Sequence, residues 1–144
     1  MRSIFFSKTR KMKLIYALLC DSAFLSIDRK VNIIGVFETI NASSFPVNHS
    51  KFVLVGSMVP SKKEFKMAVE IVKEDGKSIL NQSQEREVKL PGGADTKNFN
   101  FIVEIVNTVF PEMGIYNVNL LIDSKIVSSQ KLTLAQQENI GNFN

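Results

Sequence analysis

The chain has 144 residues, 44% of them hydrophobic, with 11 Phe and no Trp, which suits one domain with a full core and excludes a disordered or collagen-like chain. Lys and Arg number 18 against 14 Asp and Glu, a formal +4, but residues 1–11 hold Arg2, Lys8, Arg10 and Lys11 with no acid. The remaining chain is therefore neutral, unlike the broad basic footprint of a nucleic-acid binder, and its single Cys excludes an internal disulfide framework and points to a reducing compartment.

The basic start and the apolar Leu14–Leu19 run have the outline of a leader ending at Cys20. That run is shorter than the roughly 7–15 residues of a secretory apolar segment, and Leu18 and Leu19 stand where cleavage or lipidation needs small residues. Met12–Phe24 reads instead as a first strand that ends at the polar corner Asp21-Ser22. Residues 1–11 are expected to be an extension outside the fold, with Met12 as the natural start. A cytoplasmic domain is expected over 12–135, with a loose tail over 136–144 and no membrane contact.

Strands follow in close order. Residues 30–40 (KVNIIGVFETI) put Val31, Ile33 and Phe37 on one face, and Gly35 marks a bulge or a close backbone approach. Residues 42–50 (ASSFPVNHS) read as a loop by their Ser, Pro and Asn. Residues 51–59 are almost continuously apolar, as a central strand covered on both faces requires. Phe65, Met67, Val69 and Ile71 then alternate inward, and Asp75-Gly76 supplies positive φ angles for a tight turn. Residues 85–90 form a short strand, and residues 91–98 (PGGADTKN) a loop. Two further strands follow, one with Phe99, Phe101, Val103 and Ile105 inward and one with Tyr116, Val118, Leu120 and Ile122. Asp123-Ser124 turns the chain into a last strand. About eight or nine short strands without an amphipathic helix predict an all-β, immunoglobulin-like antiparallel sandwich.

The stretch FPEMGIY (110–116) sharpens this expectation. Pro111 ends one strand, Gly114 turns the chain and Tyr116 opens the next. This spacing matches the tyrosine corner of immunoglobulin-like sandwiches, in which the phenol returns to the backbone a few residues upstream. The Cys–Trp–Cys signature of antibody domains is absent, which excludes antibody-like kinship; the corner spacing assigns Tyr116, Gly114 and Pro111 structural roles. Together with Leu19-Cys20-Asp21, Gly35-x-Phe37 and Phe45-Pro46, these residues make the chain resemble a family of small bacterial domains of unknown function. The resemblance covers roughly residues 12–134 and implies a β-sandwich and a cytoplasmic setting; it brings no activity.

No constellation specifies a chemistry. Cys20 and His49 are the only Cys and His, so one thiol–imidazole pairing is conceivable, but Cys20 reads as a core residue at a strand end and His49 as a solvated loop residue. Asp21, Asp28, Asp75 and Asp95 are single turn acids rather than a calcium cluster, and no zinc ligand set exists. The most site-like loop holds Gly92 and Gly93, whose amides could converge on an anion beside Lys97. The expectation is a non-enzymatic interaction module, without cofactor or metal, that binds a protein partner and can form a homodimer. The alternative is a binder of a small, nucleotide-like anion at Gly92, Gly93 and Lys97. A Cys-dependent enzyme ranks last.

Overall fold

Alternating apolar side chains build ten strands in two sheets among the residues that the computed structural model describes, which are 12–80, 85–91 and 98–137. In chain order these are β1 (Lys13–Leu25), β2 (Val31–Val36), β3 (Thr39–Ala42), β4 (Val47–Val59), β5 (Glu64–Lys73), β6 (Ser78–Leu80), β7 (Arg86–Lys89), β8 (Phe99–Phe110), β9 (Gly114–Ile122) and β10 (Lys125–Gln136). One sheet has the order β2-β1-β4-β8, and the other has the order β3-β10-β9-β5-β6, with β7 also paired to β5. The fold is an all-β, immunoglobulin-like sandwich.

Three stretches differ from the expected strands. β1 does not end at Asp21-Ser22 but continues in its ladder with β2 as far as Leu25 opposite Val31. The run 30–40 is not one strand: Gly35 takes a φ of +72°, and the Phe37 N–H donates to the Leu19 carbonyl at 3.0 Å. Beyond that point the chain leaves the first sheet, and β3 joins the second. There β3 lies parallel to β10, Thr39 beside Thr133 through Ala42 beside Gln136, so the sandwich is not purely antiparallel. The expected loop 42–50 also shrinks to Ser43–Pro46, because β8 pairs with β4 from Val47 opposite Phe110 to Met58 opposite Phe99. A long ladder partner overrides the local polarity of Asn48, His49 and Ser50. The Phe45–Pro46 peptide between β3 and β4 is cis.

The turns follow their residue chemistry. Asp123 and Ser124 both take positive φ, 49° and 68°, and form the tight hairpin between β9 and β10. The connection from β5 to β6 needs only one such residue, Gly76 at +96°. Asp75 instead uses its carboxylate, which accepts from the Lys77 N–H at 2.9 Å.

The core lies between the sheets. Phe52 and Leu54 of β4 and Phe101, Val103 and Ile105 of β8 meet Met67, Val69 and Ile71 of β5 and Tyr116, Val118 and Leu120 of β9. Each such side chain contributes about 1.5–3 kcal/mol of apolar burial. A second, smaller cluster forms on the other face of β4, where Cys20, Val53 and Val55 are fully buried beneath Ala23, Val31 and Ile33 of the β1–β2 hairpin. Residues 52–58 of β4 are thus covered on both faces, as their unbroken apolar run demands. Gly35 and Gly56 allow the close approaches this layering needs. A Cβ on Gly35 would lie 2.9 Å from the Asp21 Cγ, and one on Gly56 would run into the Tyr16 carbonyl and the Phe101 ring.

Candidate functional site

The residues singled out by sequence fall into three groups. Pro111, Gly114 and Tyr116 form the turn from β8 to β9. Gly114 takes a φ of +143°, the Tyr116 hydroxyl donates to the Glu112 carbonyl at 2.5 Å, and its ring meets Phe110 edge-on at 5.2 Å. Burial pushes the Tyr116 phenol upward. Lys73 of β5 closes the turn from the side by pairing with Glu112, and that hydrogen bond raises its pKa. This corner is an anchor between strands.

Gly92, Gly93 and Lys97 lie outside the described residues, as does Asp95. The other turn acids serve their own turns: Ser26 and Lys30 flank Asp28 and lower its pKa, and Asp75 caps Lys77. Asp21 is not a turn residue: it lies within β1, against Gly35.

Cys20 and His49 are not brought together. Cys20 is an interior residue of β1, where its side chain belongs to the outer cluster with Val53 and Val55. His49 is a strand residue, not a loop residue, and its ring packs against Phe37 and Phe52 at 6.5 and 5.7 Å on the core side. The sheet itself separates thiol from imidazole. Burial pushes the Cys20 thiol upward, away from the thiolate that nucleophilic chemistry requires.

A feature able to receive something else is the flank where β1 and β10 border the gap between the sheets. β2 pairs with β1 only from Cys20 onward, and β3 pairs with β10 only from Thr133 onward. Ahead of Thr133, β10 has β9 on one side and no hydrogen-bonded strand on the other among the described residues, although β1 of the facing sheet passes close by. A groove of about 290 Å³ opens here, close to the lower end of the usual range for small ligand sites. Leu18, Leu19, Val36 and Phe37 supply its apolar wall, and Gln130 and Lys131 line the β10 side. The Gln130 amide is held by Ser128, to whose Oγ it donates at 3.2 Å. Glu38 and Lys131 both border the groove, yet they are not among the ion pairs of the described residues.

Sequence reading did not find this flank. Ser129, Gln130 and Lys131 carry no motif. Only the early departure of β2 and the late arrival of β3 leave their strand edge open. Phe37 and Val36 were visible as strand residues, but not as the wall of a groove.

Among the described residues no helix is long and apolar enough to cross a membrane. No curated protein matches the chain significantly. Among solved structures it is similar to the alkylpurine DNA glycosylase AlkC of Pseudomonas fluorescens, solved with DNA containing an abasic-site analogue, at a TM-score of 0.49 and 11% identity over 86% of this chain and 30% of that one. The chain thus spans under a third of that enzyme. It is also similar to an immunoglobulin-like protein of Pseudomonas aeruginosa, at a TM-score of 0.47 and 11% identity over 88% of this chain and 98% of that one. Residues 15–135 match a family of unknown function, DUF6941; the chain belongs to that family.

Proposed function

We propose that this domain is a non-enzymatic interaction module that binds a protein partner at the open flank between β1 and β10. The observation that carries this reading is the conjunction of a free stretch of β10 edge with the adjoining groove of Leu18, Leu19, Val36 and Phe37. Strand edges offer rows of backbone donors and acceptors, and an apolar groove beside one adds side-chain selectivity. The separation of Cys20 from His49 turns the reading away from a thiol enzyme.

Site-specific photo-crosslinking in the host tests it. A photoreactive residue in place of the exposed Ser129 is expected to give a discrete crosslinked protein, whereas the same residue at Lys66, on β5, gives none. Equal crosslinking from both positions, or none from Ser129, overturns the placement.

A further inference from the structure

The ladder geometry says which backbone groups of β10 are free. The Thr133 N–H donates to the Glu38 carbonyl at 2.9 Å, and the Gln137 N–H donates to the Ala42 carbonyl at 2.7 Å. Odd-numbered residues of this part of β10 therefore point their backbone N–H and C=O toward β3. Strand periodicity carries the same orientation back to Lys131 and Ser129, whose pairing with β9 continues in unbroken register. No strand hydrogen-bonds to them on that side among the described residues. Their side chains are exposed, while Ser128 and Leu132 are buried and Gln130 is half-buried. Ahead of Ser128 the register shifts between Ile126 and Ser128, so the open edge is about five residues, or roughly 17 Å, long.

Resting on the interaction-module reading, we propose that an extended peptide segment of a partner protein adds as a strand to β10 at Ser129–Lys131, continuing the line of β3. Alternate side chains of this peptide enter the groove and meet Leu18, Leu19, Val36 and Phe37. The side chains between them face solvent beside Lys131. Lys131 is exposed on this edge and makes no ion pair among the described residues, so the complementary peptide is apolar at alternate positions and carries an acid opposite Lys131. A second copy of this chain fits less well. Its own β10 is 12 residues long and would run into β3, which already occupies Thr133–Gln136; a short peptide stops before it.

The test uses the full chain as bait for a phage-displayed library of random dodecapeptides. The best enriched peptide is synthesised and titrated by fluorescence anisotropy. Enriched sequences are expected to alternate apolar residues and to hold an acid. Binding is expected to weaken about tenfold or more in Ser129→Pro and Lys131→Pro, which remove only outward-facing N–H groups. Lys131→Glu is expected to weaken it as well, and this variant keeps the backbone intact should a proline disturb folding. Hydrogen exchange at the Ser129 and Lys131 amides is expected to slow when the peptide binds. A peptide that binds all variants equally and leaves those amides exchanging freely overturns strand addition but leaves the module reading standing. Enrichment no better than on bare support overturns both. Protection of the same amides in a peptide-free dimer assigns the edge to a second copy and overturns the choice of partner.

Discussion

The Tyr116 hydroxyl donates to the Glu112 carbonyl at 2.5 Å, within a turn whose Glu112 side chain is paired to Lys73 of a different strand. One phenol thus joins a local turn to the sheet. Tyr116→Phe keeps the ring against Phe110 but leaves the carbonyl without this partner. It is expected to lower unfolding stability by about 1 kcal/mol with little change in urea m-value. Tyr116→Ala also empties a fully buried site and is expected to cost about 3–5 kcal/mol. Equal stability of Tyr116→Phe and the native chain would remove the hydrogen bond from the account.

Gly35 and Gly56 are expected to fail for different reasons. Ala at Gly35 would be strained by the φ of +72° and would also meet the Asp21 side chain. Adding Asp21→Ala should relieve the collision but not the strain, so the double variant recovers part of the loss of more than about 1 kcal/mol. Ala at Gly56 meets the backbone carbonyl of Tyr16, which no side-chain change can move. Urea unfolding of the four proteins checks this, and full recovery in the double variant would contradict the backbone strain.

Asp123 gives a pH dependence with a definite sign. Its carboxylate accepts from the Lys62 ammonium at 2.7 Å and from the Lys66 N–H at 2.9 Å, and these contacts, Lys62 foremost, hold its pKa below the ordinary 3.8. A pKa lower in the folded chain means stability that is present above 3.8 and lost as pH falls through the lowered folded value. The site is partly solvated, so the contribution is under about 1 kcal/mol. Asp123→Asn is expected to be less stable at neutral pH and to converge with the native chain in strong acid. A constant gap across that range would rule the carboxylate out as its cause.

Cys20 should report the opening of the β1–β2 hairpin. Its thiol is fully buried and donates to the Ser22 carbonyl at 3.4 Å. Burial is the main cause lifting it above the ordinary 9.0, with Asp21 adding to the effect. A thiol-specific disulfide reagent is expected to react with the native chain far more slowly than with the unfolded one. Ile33→Ala, which thins the cover over Cys20, is expected to speed the reaction more, per unit of stability lost, than Val69→Ala in the main core. Fast labelling of the native chain would show the hairpin open.

Much of the strand layout was legible because side-chain alternation is a local property. Phe65 through Ile71 and Phe101 through Ile105 face inward as their spacing requires. The apolar run of β4 foretold burial on both faces, and the Pro111–Tyr116 spacing foretold the corner. The Asp75-Gly76 turn was half legible: Gly76 takes the left-handed conformation, while Asp75 acts through its carboxylate. The polar neighbours of His49 resemble a loop, and only the β8 ladder shows it to be a strand residue.

The sequence by itself determined an all-β sandwich, its inward faces and its tyrosine corner, since alternation, turn residues and a short spacing all act within a few residues of the chain. It could not decide that this stretch of β10 lacks a hydrogen-bonded partner on one side among the described residues. That depends on where β2 leaves β1, on β3 crossing to lie parallel with β10, and on β3 pairing no earlier than Thr133. These are relationships between segments far apart in sequence, fixed only once both sheets have packed. The edge at Ser129 and Lys131, unpaired among the described residues and beside the Leu18–Phe37 groove, is therefore a property of the tertiary structure alone.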